Sequence, residues 1–478
     1  MTGLRGTDLG IDPLLYFIST FFILGVSLLF LRLYPLLLGL LFKAGEKWWN
    51  PVAYFSLVNV GRADRNLQFI MLFLILALSF GIMNANQART INRNIEDRIM
   101  YENGAEVVIE PYNNLKHQMD DIVTTRGIST GESFNTQKEV YVQPPYDRYK
   151  KIKGVEAMTK VLVNDRDSLS WGSDSISGLN VLGIIPNEFG KAAWFQNGLL
   201  PHHINEYLNL MTKAPMGVLL SSNIQKAYDI EAGDKIDIKI GDAGSLPFTV
   251  YAFVDYFPAC NPYDTEGDKK DKYFAVVNYS YIQRKLPAQP YEIWIKKEKG
   301  TGDAFINNEI ENNKLVIECV DYAGQKLIRK KNDPMLQGTN GVLTMCFIVT
   351  MMVTAIGFLI FWTLSLKDRA LKFGISRAVG MPMRDVTLIM IVEQILVSGC
   401  AIVTGILLGS ISSTIFIPVL QVIYSSAEQV PPFKVIASQG DYARVIGIAL
   451  AMLFGALAAL IALEKRIKVN QILKLGED

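Results

Sequence analysis

Three closely spaced apolar segments, Gly341 to Leu366, Val386 to Leu420 and Val445 to Leu463, lie at the C-terminal end of a chain whose middle is polar. At about 1.5 Å of rise per residue, a helix from Gly341 to Trp362 would reach roughly 33 Å, enough for a hydrocarbon core of about 30 Å. No soluble fold hides three such segments, so the chain reads as a membrane protein with a large domain outside the bilayer. The composition agrees: hydrophobic residues make up 50% of the chain while 19% are charged, so a lipid-embedded part and a solvated part coexist. A net charge of +1 gives no global field and no reason to expect nucleic acid as a partner.

Two more apolar segments, Leu14 to Phe42 and Leu67 to Met83, lie near the N-terminus. The first is too long for the apolar region of a signal peptide and no small-residue cleavage pattern follows it, so it reads as retained. Arg32 divides it. The spanning part is then Leu14 to Leu31, with Arg32 at the interface and Pro35 turning the remainder along the membrane.

Orientation follows from Lys and Arg in the short connections. Lys43, Lys47, Arg62 and Arg65, then Lys367, Arg369, Lys372, Arg377 and Arg384, then Lys465, Arg466, Lys468 and Lys474 place three connections in the cytoplasm. The loop 421–442 carries only Lys434 against Glu428 and Asp441, so it lies outside with the polar middle. The fold class is thus an α-helical membrane protein with five spans and a large extracytoplasmic α+β domain.

In sequence order, the reading is an extra N-terminal transmembrane segment at 1–42, an amphipathic cytoplasmic segment at 43–66 and a second span at 67–86. The extracytoplasmic domain takes 87–338 and a third span 339–366. A cytoplasmic loop at 367–385 leads to the fourth span at 386–420. An outer loop at 421–442, a fifth span at 443–463 and a cytoplasmic tail at 464–478 complete the chain. Trp48 and Trp49, with Tyr54 and Phe55, sit beside basic residues and suit the headgroup layer, where membrane lipids are the partner.

In the outer domain, Lys235 to Ile240 (KIDIKI) alternates as a half-buried strand does, and Phe248 to Phe257, Ala275 to Asn278, Tyr291 to Ile295 and Leu315 to Val320 are further β-rich runs. Ser222 is positioned to cap a short helix running to about Ile230, and Thr301 to Asn312 reads as another helix. From Asn84 to Met100 the chain has no Gly or Pro, so the second span is expected to continue outward as a stiff helix until Gly104. The return, Asn332 to Gly341, holds one Pro and two Gly and is expected to be hinged.

Chemistry is sparse. The chain has no phosphate loop, no H-E-x-x-H, no G-x-S-x-G and no C-x-x-C. His202 and His203 are adjacent, and neighbours on a strand would point to opposite faces, so no metal is expected there. Cys346 and Cys400 lie in spans and read as packing residues, whereas Cys260 and Cys319 are both external and would be able to pair if oxidised. Glu393 lies within the fourth span, where a carboxylate costs a few kcal/mol unless it is paired or faces protein or water; it reads as a bundle residue or part of a conducting path. Gly405 and Gly409, and Gly447, Ala451, Gly455 and Ala459, form small-residue stripes that pack closely, within the chain or across a dimer.

Ser365 to Glu393 (SLKDRALKFGISRAVGMPMRDVTLIMIVE) resembles the loop and following helix of the FtsX/MacB-like ABC transporter permeases, the type VII or mechanotransmission group, with Gly374, Ile375, Arg377, Ala378, Gly380 and Glu393 at matching places. Ser56 to Arg65 is similar to the family's amphipathic segment, with Asn59 and Arg62 in position. Gly183 to Phe195, Gly217 to Lys235 and Phe248 to Pro258 follow the order of its MacB-like periplasmic core, and Val469 to Gly476 resembles its closing segment. Two departures stand out. Lys372 replaces an acidic residue usual in the family, and Leu14 to Phe42 has no counterpart in four-span members. That extra span resembles the segment before the second repeat of ten-span members, which would make this chain half of a longer permease or the partner of a separate one.

The resemblance implies a non-catalytic permease subunit. ATP and Mg would be bound by a separate ABC ATPase, with no cofactor on this chain and with a second permease half or copy as partner. The ATPase contact would comprise Lys367, Arg369, Lys372, Phe373, Gly374, Arg377 and Gly380, with the segment holding Trp48, Trp49, Asn59 and Arg62 beside it. Closure of the ATPases would be transmitted mechanically to the outer domain, for export or extraction of a lipid, lipoprotein or peptide, or for control of an envelope protein. A membrane-anchored sensor without an ATPase is the alternative.

Overall fold

The structure, a computed structural model, describes residues 14–45, 50–61, 65–112, 114–117, 139–172, 174–263, 272–378, 380–419 and 430–466. In chain order its helices begin with α1 (Leu14–Gly45), α2 (Pro51–Gly61) and α3 (Arg65–Asn103). Strands β1 (Val107–Pro111), β2 (Asn114–His117), β3 (Glu139–Val142), β4 (Val155–Trp171) and β5 (Asp174–Ile184) come next, then α4 (Pro186–Ala192) and α5 (Ile204–Lys213). They are followed by β6 (Gly217–Ser221), α6 (Ser222–Tyr228), β7 (Lys235–Ile240), β8 (Gly244–Val254), β9 (Tyr273–Asn278), α7 (Tyr279–Lys285), β10 (Glu292–Lys297), α8 (Asp303–Asn312), β11 (Ile317–Tyr322) and α9 (Ala323–Lys331). The last three helices are α10 (Pro334–Ala378), α11 (Met383–Phe416) and α12 (Gln439–Arg466). The chain forms two compact units, one of Met1–Arg93, Pro334–Ile423 and Lys434–Asp478, the other of Asn94–Asp333 and Tyr424–Phe433.

The first unit is a helical bundle. Four helical stretches among the described residues are long and apolar enough to cross a membrane: Phe17–Gly45, Met71–Asn103, Pro334–Gly357 and Arg384–Val419. The fifth apolar segment lies in α12, part of whose side chains fall outside the described residues. Helix α1 buries Ile23, Ser27, Leu31, Tyr34 and Leu38, a stripe at helical spacing, while Phe21, Leu29, Leu36 and Leu40 stay exposed. Phe22 meets Phe416 with ring centroids 5.3 Å apart and the Tyr34 hydroxyl donates to the Leu396 carbonyl at 3.4 Å, so α1 runs antiparallel to α11.

One expectation in this unit is corrected. Pro35 does not turn the chain: α1 continues helically from Leu14 to Gly45 with Pro35 inside. Pro removes a single ladder hydrogen bond, and helices of membrane proteins accommodate that loss. Much of the return is helical: α10 starts at Pro334 and carries Gly338 and Gly341 within its helix, leaving Asn332 and Asp333 between α9 and α10. Proline at a helix start loses nothing, since its missing N–H would be unsatisfied there anyway. Helix α2, finally, has no charged residue of its own; Ser56, Leu57 and Val60 are buried, and Tyr54 and Phe55 are exposed.

The second unit is built on a nine-stranded sheet in the order β11-β1-β10-β4-β5-β9-β6-β8-β7. The length of β4 gives the sheet its shape: Val155 to Val161 pair with β10, while Ser168 to Ser170 pair with β7. The extra β4–β7 pairing closes β4, β5, β9, β6, β8 and β7 into a ring, from which β10, β1 and β11 extend. KIDIKI is β7, and its burial alternates residue by residue as its sequence does. Inward residues such as Leu179, Val181, Val218, Ile238 and Val250 make one core, while Phe189, Met211, Phe257, Phe274 and Trp294 make a second. Helix α6 has Ser221 rather than Ser222 at its N-cap position, without a side-chain capping bond, and ends at Asp229 in the left-handed region, φ 53°.

Candidate functional site

The organising feature is α3, one continuous helix from Arg65 to Asn103 that passes from the first unit into the second between Arg93 and Asn94. Within the bundle its partner is α11. The Ser79 hydroxyl donates to the Gly405 carbonyl at 3.1 Å, and the Asn86 side-chain amide donates to the Ser413 hydroxyl at 3.0 Å and the Tyr442 hydroxyl at 3.2 Å. The contacts advance together along both helices, which are therefore parallel. Gly405 and Gly409 permit the approach: a Cβ at Gly405 would lie 2.8 Å from Leu78 Cβ, and one at Gly409 would lie 2.9 Å from the Ser79 carbonyl oxygen. Gly405 and Gly409 thus pack against α3 within the chain.

Near Arg89 the bundle segment of α3 is tied to α12, to the residues just before it and to α10. Arg89 grips both carboxylate oxygens of Asp441, Nη2 donating to Oδ1 at 2.8 Å. The Thr90 hydroxyl accepts from the Ile436 amide at 3.1 Å, and Asn340 donates to Asn92 at 3.1 Å. Side-chain bonds between helices of this kind favour a defined register.

The other end of α3 is embedded in the second unit. Tyr101 is 1% exposed. Its hydroxyl donates to the Cys260 carbonyl at 2.6 Å and accepts from the Phe257 amide at 3.0 Å, and its own carbonyl accepts from the Ala259 amide at 2.8 Å. The helix stops at Gly104, whose φ of +75° suits glycine, and the Trp294 ring fills the space where a side chain would stand, 2.2 Å from an ideal Cβ. Nothing in the sequence pattern singled out Tyr101; a lone aromatic in a polar helical run just before Gly104 was the available signal.

The expected coupling residues fall on helical backbone. Lys367, Arg369, Lys372, Phe373, Gly374 and Arg377 all lie in α10, which runs to Ala378, and Gly380 makes the turn to α11 with φ +98°. Their side chains, except at Gly380, lie outside the described residues. Trp48, Trp49 and Arg62 are also outside, as is the Asn59 side chain, although Asn59 belongs to α2. Helix α2 rests on α11, where the Ser56 hydroxyl donates to the Ile389 carbonyl at 3.3 Å. One turn further along α11, Glu393 is 2% exposed. Gly447, Ala451 and Gly455 are exposed on α12, unlike Gly405 and Gly409, and the Ala459 side chain is not described.

In the second unit the histidines do not share a strand: His203 caps α5, its Nδ1 accepting from the Asn205 amide at 3.2 Å, and His202 lies 3.7 Å from Glu206. Among the described residues no group of three His, Cys, Asp or Glu side chains is arranged for a metal. Cys260 is buried, Cys319 is exposed and both are free thiols, so the possible pairing is not realised. Burial pushes the Cys260 thiol up to about 12, which leaves it unreactive. Asp167 sits at a bulge of β4, accepting from the Asn164 amide at 2.6 Å and the Gly241 N–H at 2.7 Å; burial outweighs those bonds and raises its carboxyl to about 7. Burial likewise raises Glu292 to about 7, although Trp294 Nε1 donates to it at 2.8 Å.

Residues 344–471 match the FtsX-like permease C-terminal family. The matched stretch includes the Ser365 to Glu393 segment on which the sequence resemblance was drawn. A search of curated protein sequences returns no match. Among solved structures, the periplasmic region of MacB from Actinobacillus actinomycetemcomitans is similar at 12% identity and a TM-score of 0.30, covering 50% of this chain and 98% of that one. The extracellular domain of the noncanonic ABC-type transporter YknZ from Gram-positive bacteria is similar at 11% identity and a TM-score of 0.23, covering 38% of this chain and 80% of that one.

Proposed function

We propose that this chain is the membrane permease subunit of an ABC transporter, a part that hydrolyses nothing itself and carries the motion of partner ATPases to an extracytoplasmic domain. The observation that carries the reading is the FtsX-like match over residues 344–471, which spans the α10–α11 turn and its basic residues. Helix α3 supplies the physical means, being fastened to α11 in the bundle and through Tyr101 in the second unit. Five spans, the positive residues in the cytoplasm and a large outer domain complete the arrangement. The alternating directions of α1, α3, α10 and α11 support it, α10 running against α3 from the Asn340–Asn92 bond to the approach of Phe347 and Met351 to Gly81. ATP and Mg belong to the partner, and a second permease half or copy faces this one. The cargo is a lipid, lipoprotein or peptide, or the output is control of an envelope protein.

Arg369, Phe373 and Arg377 follow one another at four-residue intervals along α10 and are the residues assigned to the ATPase contact. The test is isolation of the chain from its own membrane in mild detergent, with mass spectrometry and an ATPase assay of the eluate. A stoichiometric phosphate-loop ATPase, lost with Phe373→Ala and Arg377→Glu, is the expected result. No ATPase at any stoichiometry would overturn the proposal in favour of a sensor.

A further inference from the structure

The bundle contains a groove of about 230 Å³ formed by α3, α10 and α12. Its walls include Ala85 and Ala88 from α3, Leu343 and Phe347 from α10, and Val445 and Ile448 from α12. At about 1.5 Å per residue, Asp441 to Ile448 covers roughly 10 Å of depth, so the lining passes from a charged end to a mostly apolar stretch that also carries Asn84 and Thr344. In the membrane reading given above, on which this inference rests, the charged end lies at the outer surface and the apolar end points into the lipid tails.

The charged end carries an excess of one positive charge. Asp441 uses both carboxylate oxygens on Arg89, and its side chain is 13% exposed. Arg444 approaches the same carboxylate only to 3.7 Å and is 81% exposed. Two guanidinium groups therefore share one carboxylate, and that of Arg444 is beyond hydrogen-bond distance of it and largely exposed. Guanidinium presents a planar fork that suits phosphate oxygens. A cation at the rim of an apolar groove is complementary to an amphiphile with an anionic head, and it opposes burial of the same face under an apolar helix.

We propose that this groove holds an acyl chain of one anionic phospholipid from the surrounding bilayer, with its phosphate against Arg444. The lipid is a resident ligand that fills the space between α3, α10 and α12, and it is distinct from any cargo of the outer domain. At 230 Å³ the groove is smaller than the about 300 Å³ where drug-sized pockets begin, so it accommodates part of one chain rather than a whole lipid.

The experiment equilibrates the full-length protein with vesicles of equal phosphatidylglycerol and phosphatidylcholine bearing identical chains. The protein is then extracted in mild detergent and its retained lipids are counted by native mass spectrometry. One retained phosphatidylglycerol per chain, preferred about fivefold, is expected from a single cationic side chain beside an anionic headgroup. Arg444→Glu should abolish the preference, and Ile448→Trp should reduce retention of both lipids. Both residues border the groove, so a melting curve of each variant confirms folding before the lipid is counted. Equal retention of the two lipids by the parent protein, or a preference surviving Arg444→Glu in a folded variant, would overturn the proposal. A lipid-free dimer whose interface is lost with Ile448→Trp would do so too, by assigning the groove to a second copy. Because no ATPase enters the assay, these outcomes are independent of the permease reading.

Discussion

Gly409 and Gly447 occupy helices of similar composition but opposite surroundings, and exchanging each for alanine isolates the energy of the α3–α11 seam. A Cβ at Gly409 would lie 2.9 Å from the Ser79 carbonyl oxygen, 3.0 Å from Ser79 Cα and 3.0 Å from Ile82 Cβ. Comfortable contacts between carbon atoms lie at about 3.5–4.0 Å, and two of these three neighbours are backbone atoms that no rotamer change can move. The helices must therefore separate by roughly half an ångström, which weakens the Asn86–Ser413 bond four residues further on; overpacking of this kind costs about 1–3 kcal/mol. Gly447 has nothing within 4 Å of its Cβ position, so there alanine contributes only its helix propensity, a gain of about 1 kcal/mol. Both variants receive that gain, so Gly409→Ala should be less stable than Gly447→Ala by about 1–3 kcal/mol. Reversible unfolding in mixed micelles measures the difference. Equal stabilities within about 0.5 kcal/mol would show that the seam is not a close backbone contact and would remove the basis for treating α3 and α11 as one mechanical element.

Gly104→Ala should destabilise the second unit by more than about 3 kcal/mol, because it adds a strained positive φ to a collision with Trp294, and loss of hydrogen-exchange protection at the Ala259 amide would report it. Tyr101→Phe removes the hydroxyl between Phe257 and Cys260, leaves a buried N–H and a buried carbonyl without that partner, and should cost about 1–3 kcal/mol by the same readout. Asp167 gives the second unit a pH dependence. Its carboxyl is raised from 3.8 to about 7, so between those values the folded chain keeps a proton that the unfolded chain has lost, and stability falls as pH rises through that window. The loss is on the order of a few kcal/mol. Asp167→Asn should flatten the slope, as read from protection of the Gly241 amide after correction for intrinsic exchange; an unchanged slope would assign it elsewhere, Glu292 being the next group in the same range.

Much of this architecture was legible in the residues, for reasons that also explain what was missed. Long apolar runs and strict alternation are local signals, so the helices and KIDIKI could be read directly, as could the helical run to Gly104. Pro35 and the Pro334–Gly341 stretch carry turn-forming residue types that a long helix absorbs, so residue type alone does not mark the backbone there. Pro35 loses one hydrogen bond in a helix of 32 residues, and Pro334 sits where a helix starts in any case. The glycine stripes showed close packing but not its partner, since small residues mark a surface without naming what touches it. The seam through Ser79, Asn86 and Ser413 spans more than 300 positions of sequence, and so does the Arg89–Asp441 pair. Pairings at such separation leave no local pattern. The same holds for β4, whose two ends pair with different strands and close the ring.

Helix α3 links these observations, and its energetics lead to a further test of the proposed transmission. Between Ile82 and Asn103 it contains no Gly or Pro. Bending it would require breaking the hydrogen-bond ladder at a position where neither the sequence nor an inserted side chain provides a break. Its bundle segment is held by Ser79, Asn86 and Arg89, and its last turns by Tyr101, so under the proposed transmission displacement at one set of contacts would be shared with the other. Two glycines inserted after Asn94 change this in two ways: they add about 2 kcal/mol of helix-breaking propensity and rotate one set of contacts against the other by about 200°. Seven helix-forming residues inserted at the same point lengthen α3 by about 10 Å but return the contacts to within about 20° of their original phase. In a complex with the ATPase, nucleotide-dependent changes in hydrogen exchange near Ala259 should disappear with the two-glycine insertion and survive the seven-residue one, with the ATPase still bound in both. If the changes persist through the glycine insertion, the signal reaches the second unit by a route other than α3, and the rod is a tether.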